Sequence, residues 1–149
     1  MYFKAAICFS TAILTTLTPS CRKKPLEDSI IPQITLRTIS PLEVRQFQDN
    51  ILIVLDYSDA DGNIGDISPD SASLFILDSR LTEWEGYHVK PLAPSDTKVS
   101  IRGTLNIHVN APFLFGNGGE ETMFYAIKIR DQENNWSNIV ETPEITIKP

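Results

Sequence analysis

Lys98-Val99-Ser100-Ile101-Arg102-Gly103-Thr104-Leu105-Asn106-Ile107-His108-Val109-Asn110 alternates with period two. Val99, Ile101, Gly103, Leu105, Ile107 and Val109 fall on one side, and Lys98, Ser100, Arg102, Thr104, Asn106 and His108 on the other. Successive side chains of a strand point to opposite faces, so this segment lays one face on a core and turns the other to water. It cannot be an amphipathic helix, whose apolar positions recur every three to four residues. The fold it announces is an antiparallel sheet protein.

Neighbouring segments agree. Downstream, Met123, Tyr125, Ile127 and Ile129 alternate with Phe124, Ala126, Lys128 and Arg130 as one strand. Asp131-Gln132-Glu133-Asn134-Asn135 turns the chain, and Ser137 to Val140 with Glu144 to Ile147 close the sheet. Upstream, Ser73 to Leu77 reads as a short buried strand, and Pro91 and Pro94 confine residues 81–96 to an edge strand and a loop. Ile51-Leu52-Ile53-Val54-Leu55 is apolar on both faces and reads as a central strand. Residues 34–39 supply the first strand, and 40–49 read as an irregular link carrying Pro41. About seven short strands without a long helix predict an all-β, immunoglobulin-like antiparallel β-sandwich over 33–149.

Composition sets the limits. The 149 residues hold one domain once a targeting segment is set aside. The formal net charge of −6 argues against a nucleic-acid binder and suits a solvated or cation-binding surface. Both cysteines, Cys8 and Cys21, lie near the start, so the body has no thiol nucleophile and no internal disulfide.

Residues 1–20 read as a signal peptide. Lys4 precedes an apolar run from Ala5 to Leu14 that is too short to span a bilayer. Leu17-Thr18-Pro19-Ser20-Cys21 then resembles the bacterial lipobox, which implies cleavage before Cys21 and acylation of that cysteine. Thr18 departs from the pattern, and an ordinary signal peptide with a stray Cys21 is the alternative. A multiply acylated cysteine has enough chains for stable anchoring. Residues 21–32 form a polar tether, opening with Arg22-Lys23-Lys24 and reaching Glu27-Asp28. The implied address is the bacterial cell envelope, as an outer-membrane lipoprotein facing either the periplasm or the surface.

The central apolar strand feeds Tyr57-Ser58-Asp59-Ala60-Asp61-Gly62-Asn63-Ile64-Gly65-Asp66. Oxygen-bearing side chains at Asp59, Asp61 and Asn63 recur at every second residue, a spacing that aims ligands at one hard cation. Gly62 and Gly65 supply the positive φ of a tight loop. As an EF-hand the loop fails: Ile64 stands where the glycine belongs, Asp70 rather than Glu stands twelfth, and no helices flank it. A strand-loop Ca²⁺ site remains, with Asp66 as a fourth ligand and Asp78 a further candidate. The alternative is a turn in which Asp and Asn bond the local backbone.

The chain resembles the immunoglobulin or fibronectin type III-like sandwiches of uncharacterised Bacteroidetes lipoproteins. Those carry D-x-D-G-[DN]-[IL]-G after an early strand, standing here as Asp59 to Gly65, and a last hairpin similar to Ile129 to Asn138. The resemblance implies fold and location; it implies little about function, because the fold hosts many.

Sequence offers no catalytic constellation. His88 and His108 are the only histidines, and the pairs Glu83/Glu85 and Glu120/Glu121 read as solvated carboxylates. Binding has two footholds, each open to a packed-core alternative. Phe113-Leu114-Phe115 beside the glycines of 116–119 offers an apolar tip to a partner, and Trp84 with Tyr87 offers a platform for a sugar ring. Trp136 packs locally. The sequence therefore describes a non-enzymatic binding or structural module whose partner is the membrane through Cys21 and an unknown protein or glycan. A carbohydrate-binding accessory protein or enzyme of a polysaccharide-use system is the rival.

Overall fold

The computed structural model describes residues 29–94 and 97–149; the leader, Cys21 and most of the tether lie outside them. Ten strands run in chain order: β1 (Gln33–Ser40), β2 (Glu43–Arg45), β3 (Ile51–Asp59), β4 (Leu74–Asp78), β5 (Glu85–Tyr87), β6 (Ile101–Val109), β7 (Glu121–Met123), β8 (Tyr125–Ile129), β9 (Val140–Glu141) and β10 (Ile145–Lys148). They form three sheets, ordered β1-β3-β6, β5-β4-β8-β9 and β2-β10-β7. Among the described residues there is no helix. The architecture is the all-β sandwich expected, with antiparallel pairs throughout except β2 on β10, which is parallel.

Ten strands rather than seven arise because three passes are broken where the chain changes partners. Pro41, in a cis peptide with Ser40, separates β1, which pairs with β3, from β2, which pairs with β10. Proline has no N–H to leave unpaired at such a crossing. The link expected to be irregular therefore contains a short strand. Phe124 divides β7 from β8: its N–H donates to Ser79 Oγ at 2.9 Å and its carbonyl accepts from Ser79 N–H at 2.9 Å. Thr142 divides β9 from β10, its Oγ1 accepting from Tyr125 N–H at 3.0 Å.

β3 is central, as its two-sided apolarity predicts, with β1 on one side and β6 on the other. Its residues Ile51, Ile53 and Leu55 face Ile127, Ile129, Ile145 and Ile147 in a core made mostly of isoleucine. Branched side chains suit this role because they pack on a pleated surface with little rotamer freedom to lose. Ile64, from the loop after β3, lies fully inside that core.

Strand direction gives the sandwich two poles. At one lie Asp59, the start of β6 and the end of β8. Ser29, the first described residue, is there too, its carbonyl accepting from Ala60 N–H at 3.0 Å. At the other pole lie the start of β3, the end of β6 and the turn after β4.

Candidate functional site

Asp59 ends β3 in phase with Ile51, Ile53 and Leu55, so alternation drives its carboxylate inward. It is only 2% exposed, and Asp61 only 8%. Gly62, at φ 72°, and Gly65, at φ 90°, then fold the loop flat against the body. A Cβ at Gly62 would strike the Val99 carbonyl, and one at Gly65 the Lys90 carbonyl, so both positions exclude side chains twice over. Between them Ile64 plugs the core and bridges to Asp131.

The loop orders its own carboxylates by one oxygen each. Asn63 N–H donates to Asp59 Oδ2 at 3.0 Å, and Asn63 Nδ2 to Asp61 Oδ2 at 3.1 Å. The remaining oxygens, Asp59 Oδ1, Asp61 Oδ1 and Asn63 Oδ1, are buried with no hydrogen-bond partner among the described residues. The Asx-type turn therefore accounts for half of the carboxylate oxygens and leaves three acceptors unsatisfied. Each such group costs about 1–3 kcal/mol, more when charged. Burial, the neighbouring Asp61 charge and the more distant Asp131 push the Asp59 carboxyl up to about 6, against an opposing bond from Asn63 N–H. Lys98 is exposed, 4.0 Å from Asp61 Oδ2 and nearer to Glu133 at 3.4 Å.

The second pattern that carries the resemblance closes over the first. Asp131 is buried and holds Asn135 through both oxygens, at 2.7 and 2.8 Å. Gln132 N–H donates to the Asn63 carbonyl at 3.1 Å, and Gln132 Nε2 to the Gly65 carbonyl at 2.9 Å. A cleft of about 280 Å³ opens here, lined by Asp61, Asn63, Lys98, Gln132 and Glu133 among others. Asp131 and Gln132 were missed as site residues because the run to Asn135 reads as a plain turn; its place in the second pattern was the available signal.

Asp66 stands apart from the set. Its Oδ1 accepts from Ser68 N–H at 2.9 Å, and that bond, with one from Ser71, holds its carboxyl below the usual range. Asp78, the other added candidate, lies at the opposite pole, ion-paired to Arg80 at 2.7 Å. Among the described residues no three His, Cys, Asp or Glu side chains are spaced to hold a metal. The converging set is two carboxylates and an amide.

The partner candidates divide between two places. Trp84 is half-buried beneath Lys128, whose Nζ sits 4.3 Å from its ring and 4.2 Å from that of Trp136. Trp136 packs on Phe75 edge-on at 4.9 Å. Tyr87, Phe113 and Phe115 instead line a groove of about 440 Å³ between β5, β4 and the end of β6. Phe113 and Phe115 are exposed there, not folded under a sheet edge. Glu121, expected to be solvated, anchors their loop: it accepts from Phe115 N–H and Gly116 N–H and pairs with Arg80 at 2.7 Å. The two histidines are separated, His88 against the Ser71 carbonyl and His108 in this groove.

Compared with known proteins, the chain matches no family model, no curated protein and no solved structure.

Proposed function

We propose that this chain is a non-enzymatic, lipid-anchored binding or structural module of the bacterial cell envelope, with its acidic loop rigidified by one Ca²⁺. The observation that carries the cation is the trio of buried, partnerless oxygens on Asp59, Asp61 and Asn63. Hard oxygen donors from a short loop suit Ca²⁺, which accepts irregular coordination and completes its shell with water or carbonyls. Mg²⁺ demands near-octahedral geometry and sheds water reluctantly, so it is the weaker fit. Asp66 is outside this ligand set.

The anchor reading rests on Leu17 to Cys21 and on the position of Ser29, which brings the chain into the sandwich at the acidic pole. Tethered so, the loop faces the membrane side and the groove with Phe113 and Phe115 faces away. For the carbohydrate rival, Lys128 Nζ stands 4.3 Å over the Trp84 ring, where a sugar would have to stack.

Calorimetric titration of the full chain with Ca²⁺, repeated on Asp59→Asn/Asp61→Asn, tests the cation. Heat of binding in the wild type and none in the folded variant supports it; none in either rejects it. Labelling of cells with a fatty-acid probe, lost on Cys21→Ser, tests the anchor.

A further inference from the structure

The pole opposite Ser29 carries three phenylalanines that the packing displays. Phe47 is 72% exposed and sits at φ 60°, a left-handed backbone that a bulky side chain rarely adopts. Strain of this kind survives only where the surroundings impose it, and it concentrates at functional positions. Here Phe47 N–H donates to the Pro112 carbonyl at 3.3 Å, and its ring stacks on Phe113 at 5.5 Å with planes 7° apart. Phe113 meets Phe115 edge-on at 5.3 Å. The Glu121 clamp and Arg80, whose guanidinium lies 4.1 Å over Phe115, fix the rings before anything binds.

The adjoining groove is acidic. Arg80 lines it but is spent, donating to both oxygens of Asp78, to Glu121 and to the Phe113 carbonyl. Glu83 and Glu85 also line it, and neither has an ion pair among the described residues. Glu85 accepts only the neutral Tyr87 hydroxyl, at 2.6 Å. Two uncompensated carboxylates thus border an exposed, preorganised aromatic row.

Resting on the binding-module reading above, we infer that this groove and the Phe47–Phe113–Phe115 row bind a basic segment of a partner protein, a Lys or Arg beside an apolar side chain. Phenyl rings carry no hydrogen-bonding atom for sugar hydroxyls. They do offer faces to cations and to apolar side chains, and Arg80 over Phe115 displays that contact within the chain itself. Charge complementarity selects the cation: Glu83 and Glu85 receive it, and the chain's net charge of −6 steers it inward.

The test pans the full chain against phage-displayed random peptides, then measures synthetic versions of the enriched peptides by fluorescence anisotropy. Enriched sequences pair Lys or Arg with an aromatic or branched aliphatic residue, and binding weakens with salt. Affinity falls about tenfold in Phe113→Ser and in Glu83→Gln/Glu85→Gln, as for hot-spot contacts. Phe47→Gly loses affinity similarly, while its relaxed backbone keeps the protein folded, so failure to fold cannot imitate the result. EDTA, which acts at the far pole, leaves peptide affinity within about twofold. A failure here therefore leaves the Ca²⁺ reading standing, and the converse holds. Enrichment of neutral or acidic peptides, or equal binding by all variants, overturns the inference. So does a folded chain that binds only soluble oligosaccharides or anionic phospholipid vesicles, or one that uses Phe47 to pair with its own copy in sedimentation.

Discussion

Titrating the loop in chelator reads out Asp59 directly. In chelator its folded carboxyl titrates at about 6, against 3.8 for the unconstrained group, because burial and the Asp61 charge disfavour ionisation. The folded state then holds its proton more tightly than the unfolded state does. Stability from this group is full below about pH 4 and lost as the pH rises to about 6. The difference is worth on the order of 3 kcal/mol at neutral pH. Asp59→Asn removes the charge and keeps the shape. In EDTA the variant should exceed the wild type by about 2–3 kcal/mol at pH 7 and match it near pH 4. Taking the difference matters, because Asp49, Asp56, Asp66 and Glu121 titrate below their usual range and push the opposite way. Ca²⁺ should close most of that gap. With a dissociation constant of about 0.1–1 mM, as for extracellular modules, ~10 mM Ca²⁺ adds about 1.4–2.7 kcal/mol to the wild type alone. That corresponds to a midpoint rise of roughly 4–10 °C for a domain of this size. Thermal and urea unfolding of both proteins from pH 4 to 7, with Ca²⁺ and with EDTA, supply the numbers. A wild-type-minus-variant difference that ignores both pH and Ca²⁺ refutes the reasoning.

Gly65→Ala should cost more than about 1 kcal/mol in urea unfolding, since the new Cβ meets the Lys90 carbonyl at a left-handed φ. Ile127→Ala, at a position with no exposure, should cost about 2–5 kcal/mol by the same measurement. Arg80→Ala should strand the Asp78 and Glu121 carboxylates, and amide exchange should speed up at Phe115 and Gly116, whose N–H groups Glu121 holds. Phe47→Gly should raise the unfolding midpoint or leave it unchanged, an uncommon result for deletion of an aromatic ring, because it relieves the left-handed backbone.

Local periodicity was enough to place the longer strands. Alternation over Lys98 to Asn110 marked β6, and two-sided apolarity over Ile51 to Leu55 marked the centre of its sheet, because each pattern reports the number of buried faces. The same rule put Asp59 on the inner face, so the buried carboxylate was legible in the phase of its own strand. Breaks at Pro41, Phe124 and Thr142 were not, since a strand changes neighbours according to which edge lies within reach, and that is a long-range fact. Distance along the chain likewise hid the closing of Gln132 over Asn63 and the clamp of Glu121 on Phe115 and Gly116. Tertiary structure alone sorted the acidic loop into three inward oxygens and an Asp66 that caps Ser68. It alone moved Trp84 under Lys128 and gathered Tyr87, Phe113 and Phe115 beside Glu83 and Glu85. Sequence by itself determined which faces are apolar and which loops can turn. Contacts between segments far apart in the chain decided which polar atoms lack partners and which rings remain in water, and a binding site consists of those.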